Sequence, residues 1–424
     1  MSLGALDVIG QPLTGVRVLS MEQAVALPMT TLHMAALGAE IIRVESPTRA
    51  RGNFVDQDLV RSKSRLAIDL SVEGGPDLFR QFAQEVDIVA HNYTPRVMRK
   101  FGIDYEVIKE LKEDIIYLSI TGFGTTGPWA DRPLFGPGAE AIAGNYQLIG
   151  EPDEWPGRPG TIVYADNNCG MHALLGIIAA LERRDDSGVG TYLDVSLYET
   201  AISMLGPVIA QRAAGGQLPR RLGNKDSNYA VHEVFAADGL DRWIAISVTE
   251  EQRSVFAVEL NMDPEEIDSH EQLVRKIQAL DAKKLSDALL SKGISAYPVS
   301  DMSDIVSSDF YWNRNHFGFM HDGHKLLPTK STFWGGRDGF QPQNARDVGA
   351  DNRELCSGLL GHTPEKIDEL ENRGILASGM RAVIRSRTDA ATNEVRIERG
   401  ELTRVDDQPS QSWLNLAKKG ERRL

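Results

Sequence analysis

The stretch "GVRVLSMEQAVALPMTTLHMAALGAEIIRVESP", residues 15–47, reads as strand, helix, strand. Val16 to Ser20 is a short apolar run, Pro28 suits a first helical turn, Gly38 suits the residue just past a helix end, and Glu40 to Glu45 forms the second run. Two strands joined through a helix run parallel, so the chain is bound from its start to a sheet covered by helices. The alternation continues with a helix over Gly75 to Glu85, the strand "VDIVAHN", a helix over Tyr105 to Lys112 and the strand "IIYLSITGFG". The helix "YADNNCGMHALLGIIAALERR", the strand "TYLDVSL" and a helix from about Tyr198 complete it. This is an open α/β sheet, and such sheets bind ligands beyond the carboxyl ends of their strands.

A chain of 424 residues has room for two or three domains. The polar, Gly-rich connector "AAGGQLPRRLGNKDSN" marks a boundary, and Tyr229 to about Lys330 reads as a second, smaller α+β domain. The helical "ELCSGLLGHTPEKIDELENRGIL" is expected to pack back on the first domain, and a polar, charge-mixed extension begins at Ala377.

A formal net charge of -14 argues against a general nucleic-acid binder, which needs a basic footprint. Arg43, Arg49, Arg51, Arg61, Lys63 and Arg65 crowd one early stretch, either as a solvated face or as a site for a small polyanion. Two cysteines allow neither a disulfide framework nor a four-cysteine metal site, and no stretch approaches the roughly 18 apolar residues of a membrane span. The expectation is a soluble cytoplasmic protein. "HFGFMHDGH", with His316, His321 and His324, fits no helix face and is read as a surface loop, so no metal site is expected.

Motif chemistry narrows the field by elimination. "SMEQAVALP" after the first strand contains no glycine, so the dinucleotide fingerprint is missing; GxxxxGK[ST], HExxH and GxSxG are missing too. Cys169 and His172 stand at i and i+3 near a helix start, where the dipole would lower a thiol pKa, but they lack a recognisable orienting partner. Asp166 has two readings. It is placed to cap the helix that follows, accepting free backbone N–H groups. The same position would keep a nucleophilic carboxylate ionised and stabilise the oxyanions formed when it attacks a carbonyl, with the amides of Asn167, Asn168 and Gly170 as candidate donors.

In order, "GVRVLSMEQAVALPMTTLHMAALGAEIIRVESP", "SKSRLAIDLSVEGG", "DIVAHNYTPRVMRKFGIDYEVIKEL", "IIYLSITGFGTTGP", "YADNNCGMHALLGIIAALERRDDSGVG" and "LLGHTPEKIDEL" resemble the class III coenzyme A transferases, the CaiB/BaiF family, over residues 14 to 376. The resemblance implies a large Rossmann-like CoA-binding domain built from both chain ends (1–224 and 331–424, with 377–424 as the extension), a small inserted α+β domain (225–330), and two protomers interlocked as a homodimer. It implies transfer of CoA from an acyl-CoA donor to a carboxylic acid. Asp166 would attack the thioester to give a mixed anhydride, then carry CoA as an aspartyl thioester. Coenzyme A and acyl-CoA would be substrates, with no tightly bound cofactor. The family's CoA contacts match Val25, Ala26, Ile68, Asp69, Leu70, Ser71, Asn92, Tyr93, Lys100, Thr121, Gly122 and Phe123, and Arg96 stands where it could meet phosphate.

The chain departs from that family's pattern where "VALP" replaces the frequent "QAGP", where Thr121 and Ser46 replace a lysine and an arginine of some members, and in lacking the glycine run of formyl-CoA transferases. These departures bear on single contacts and on a formyl or oxalate substrate, not on the reaction class. Two alternatives remain. One is a 2-methylacyl-CoA racemase, which would need a His where "DRPLFGPGAEA" has none; the other is a subunit that depends on a homologous partner chain.

Overall fold

A computed structural model describes residues 11–48, 59–157, 163–217, 220–314, 316–319, 326–327 and 342–379, with the single positions 398 and 415. Arg49, Arg51, His321, His324 and nearly all of the extension beyond Ala377 lie outside the described residues.

Six parallel strands form the main sheet: β1 (Arg17–Met21), β2 (Glu40–Glu45), β3 (Ser64–Ala67), β4 (Ile88–His91), β5 (Ile116–Thr121) and β6 (Thr191–Ser196). Their spatial order is β3-β2-β1-β4-β5-β6, the doubly wound order that reverses direction between β1 and β4. Successive strand residues face opposite sides, and the sheet is buried on both. Val18, Ile41, Ile88 and Leu118 join Leu27 and Met34 of α1 (Ala26–Ala36) in one core layer. Leu19, Ile42, Val89 and Tyr117 join Phe79 and Phe82 of α2 (Gly75–Gln84) in the other.

The element following β1 begins slightly earlier than Pro28 suggests, at Ala26, and Gly38 ends its turn at φ +102°. The strand β3 is not apparent in the sequence because two of its four residues, Ser64 and Arg65, are polar and break the apolar run. Its position depends on distant polar groups. The Arg65 amide donates to Asp351 Oδ2 at 2.7 Å, the Ala67 amide donates to Asn352 Oδ1 at 2.8 Å, and the Asp69 amide donates to Ile375 O at 2.8 Å. Leu355, Ile367 and Leu370 of the helices 352–360 and 364–372 fill the same core layer as Phe79. The chain after residue 342 therefore returns to the large sheet.

A separate antiparallel sheet, β7 (Val231–Ala236), β8 (Trp243–Val248) and β9 (Ser295–Pro298), has its own core of Phe235, Ile244, Ile246, Phe256, Leu273 and Leu289.

The early basic cluster is not a solvated face where it is described. Arg61, Lys63 and Arg65 are buried. Lys63 Nζ donates to Glu22 Oε1 at 2.6 Å, Thr31 Oγ1 at 2.7 Å and Pro28 O at 3.0 Å, while Arg65 pairs with Glu45. Lysine so deeply buried is tolerated because each of its donors has an acceptor.

Candidate active site

Asp166 lies in the first turn of a 24-residue helix, Tyr164–Ser187, whose N-cap is Val163. It does not cap that helix, because the helix starts two residues before it. The Asn167 amide is bonded to Val163 O at 3.3 Å, and Asn168 and Gly170 lie further inside, so these amides are not the donors that the sequence suggested. The Asn168 side chain instead donates to Thr200 O at 2.6 Å, fixing the helix to Leu197–Ser203.

The donors come from elsewhere. The Asp166 carboxylate accepts the backbone N–H of Ala26, first residue of α1, and of Gly136, first residue of the helix Gly136–Ala143. Three helix N-termini thus converge on one carboxylate, each with free amides and partial positive charge. The approach to α1 depends on Gly170, where a Cβ would stand 2.8 Å from Ala26 O. Thr30 Oγ1 bridges the contact, 3.0 Å from Ala26 O and 3.1 Å from Gly170 O. Ala24, at φ +55°, makes the turn that brings α1 to this position.

Asp166 is 8% exposed, and its pKa is pushed up to about 6. Burial is the largest cause and the charge of Glu140 the second, with the two amides pulling the other way. Glu140 belongs to the helix Gly136–Ala143, which sequence reasoning missed because "GPG" reads as a loop; Pro137 instead occupies its first turn. Cys169 is the small buried thiol that its lack of an orienting partner suggested. Burial pushes its thiol up to about 12, although the Thr200 hydroxyl acts in the opposite sense, so it is not an activated nucleophile. The exposed His172 places Nδ1 2.9 Å from Asn168 O.

The proposed CoA residues follow the carboxyl ends of β1, β3, β4 and β5. Val25 and Ala26 open α1. The Asn92 side chain accepts from the Gln23 amide at 2.8 Å and donates to Gln23 O at 2.7 Å, tying the loop after β4 to the loop after β1; Tyr93 Oη accepts from the Gln23 side chain. Thr121 is buried, with no partner for its hydroxyl among the described residues. Gly122 O accepts the Tyr198 amide at 3.0 Å, and the Phe123 ring meets Trp129 and Tyr198. Ile68 to Ser71 stand two strands away from β1, after β3; Ile68 and Asp69 are buried, Leu70 is half-buried and Ser71 exposed. Arg96 and Lys100 are exposed on the helix Pro95–Phe101, and Lys100 lies 5.2 Å from the centre of the Phe101 ring. Among the described residues no cluster of three metal-ligating side chains occurs, and no helix is long and apolar enough to cross a membrane.

Residues 13–316 match CoA-transferase family III. The chain belongs to that family. As a family III CoA-transferase it is an enzyme. It is 30% identical over 312 residues to the acetyl-CoA:oxalate CoA-transferase of Acetobacter aceti, a match spanning 70% of this chain and 78% of that protein. It is 27% identical over 405 residues to the beta subunit of succinyl-CoA--L-malate CoA-transferase of Chloroflexus aurantiacus, spanning 86% and 98%. A CaiB/BaiF family protein from Brucella suis has the same fold, with a TM-score of 0.74, 24% identity, and coverage of 82% of this chain and 100% of that one.

Proposed function

We propose that this CoA-transferase works through covalent catalysis at Asp166. The carboxylate attacks the thioester carbonyl of an acyl-CoA; the C–S bond breaks, an aspartyl mixed anhydride forms, and CoA leaves as thiolate. The thiolate then attacks the aspartyl carbonyl, releasing the donor acid and leaving CoA as an aspartyl thioester. The acceptor carboxylate enters and the steps run in reverse. The observation that carries this reading is the buried carboxylate held by the Ala26 and Gly136 amides at the carboxyl edge of the sheet. An amide that meets a carboxylate oxygen in the resting enzyme also meets the oxyanion formed when the aspartyl carbonyl is attacked. Burial keeps water from hydrolysing the anhydride.

On this reading CoA and acyl-CoA are substrates, bound along Val25, Ala26, Ile68 to Ser71, Asn92, Tyr93 and Thr121 to Phe123, with Arg96 and Lys100 near the phosphates. Residues 1–224 and 331–424 form the CoA-binding domain, 225–330 the small one, and two protomers interlock. The return of the chain after residue 342 to the large sheet supports that division. The racemase alternative lacks its base: Phe135 precedes Gly136 at the head of that helix, and His172 is exposed and turned to Asn168 O.

The likeness to a protein named as a beta subunit favours one second reading, a chain needing a homologous partner. Incubating the purified chain with succinyl-CoA, acetyl-CoA or an aromatic acyl-CoA and hydroxylamine, followed by peptide mass spectrometry, tests both. Modification at Asp166 is expected. Modification at Cys169 would overturn the mechanism, and transfer only after a second protein is added would establish the dependent subunit.

A further inference from the structure

Glu140 and Gly136 are four residues apart on one helix and so share a face. From the head of that helix Gly136 gives its amide to Asp166, and from its side Glu140 Oε1 accepts the amide of Ala165, the residue before Asp166, at 3.0 Å. Glu140 is 1% exposed, and its other oxygen, Oε2, is buried without a hydrogen-bond partner among the described residues. The remaining described groups around Asp166 offer no cation. α1 brings the Ala26 amide, the aspartate's own helix brings Cys169, and Leu197–Ser203 brings the Thr200 hydroxyl, which meets that thiol.

We propose that Glu140 is a positioning residue that also acts through its charge. It fixes the first turn of the nucleophile's helix and, because no cation meets that charge among the described residues, makes Asp166 a stronger base and nucleophile. This rests on Asp166 being the nucleophile. The charge balance of acylation shows the benefit. Before the step, two carboxylates stand together in a buried site. Afterwards the aspartyl group is neutral, and the negative charge has left on the CoA sulfur. The repulsion present in the resting enzyme is relieved as the new C–O bond forms, so Glu140 favours acylation over an isolated aspartate. The direction of the shift at Asp166 agrees.

Glu140→Gln keeps an acceptor for the Ala165 amide and nearly the same volume while removing the charge. Infrared titration of 13C-aspartate-labelled full-length protein, with Asp166→Asn to identify the band, should show the Asp166 midpoint fall by more than about half a pH unit in Glu140→Gln. The acid limb of kcat/KM should move the same way, and kcat above both midpoints should drop by roughly threefold or more at unchanged KM for acyl-CoA. Glu140→Asp, which keeps the charge, should restore the high midpoint. A purely structural acceptor would leave the midpoint where it is, and that result overturns the proposal. Should Glu140→Gln not fold, Glu140→Ala, equally neutral and smaller, is titrated in the same way; an Asp166 midpoint left at the wild-type value overturns the proposal. Full transfer by Asp166→Asn would sink the nucleophile reading while leaving this coupling measurable, whereas an inactive Asp166→Asn with an unmoved midpoint would sink the coupling alone.

Discussion

Gly136 and Asp166 meet so closely that a Cβ on the glycine would intrude on the carboxylate Oδ2, and on Val163 Cγ1 as well. The contact lets the Gly136 amide reach the carboxylate, and it leaves no space for any side chain at that position. Gly136→Ala should therefore displace Asp166 from its donors. Since displacements of about 1 Å can cost 100-fold in rate, kcat should fall by about that factor or more. Steady-state kinetics on a variant with an unchanged circular dichroism spectrum checks this; normal kcat would mean the amide contact is dispensable.

Asp166 also gives the fold a pH dependence of known sign. Its pKa is raised from 3.8 to about 6 by burial and by Glu140, so between these values the native state binds more protons than the unfolded one. Stability contributed by the protonated acid is complete below about pH 4 and lost as pH rises through 6. Asp166→Asn removes this titration. The difference in unfolding free energy between the variant and the wild type should move in the variant's favour by about 2 to 3 kcal/mol between pH 4 and pH 7. Urea denaturation at the two pH values measures it, and parallel curves would contradict the raised pKa.

Lys63 and Glu22 form a fully enclosed pair behind α1. Removing Lys63 leaves the buried Glu22 carboxylate with only the longer Arg43 contact, at 3.7 Å, so Lys63→Met should cost about 3 kcal/mol. The double variant with Glu22→Gln should be less damaged than the sum of the two single changes. A double-mutant cycle by chemical denaturation gives the coupling energy; strict additivity would show that the contact is not energetically linked.

Cys169 should be dispensable. Its thiol is buried and raised to about 12, so it should resist iodoacetamide in the native protein at pH 8, and Cys169→Ala should retain transfer activity. Rapid labelling by the alkylating agent, or loss of transfer with the fold intact, would restore the thiol as a candidate.

The sheet was legible because Pro28, Gly38 and the apolar runs around them act locally, and Glu40–Glu45 is a strand from end to end. Other features depend on partners that no local window contains. The acid before an apolar helix suggested a cap at Asp166, yet the amides that it accepts belong to positions 26 and 136. A run of cations suggested solvent or phosphate because the anions that Lys63 and Arg65 meet, Glu22 and Glu45, stand 41 and 20 residues from them in sequence. Glu140 was hidden in a Gly-Pro-Gly stretch that resembles a turn, although proline in the first turn of a helix is favourable.

The meeting of three helix starts at one carboxylate has a consequence for how the enzyme comes into being. Positions 26, 136 and 166 are far apart along an extended chain, and no fragment containing only one of them carries the assembled nucleophile. Closing such long loops is slow compared with forming any of the helices, because chain entropy must be lost before the contacts repay it. During refolding, helical signal should return first, and the ability to take up an acyl group should return only with the final docking of α1 and the helix at Gly136 onto Tyr164–Ser187.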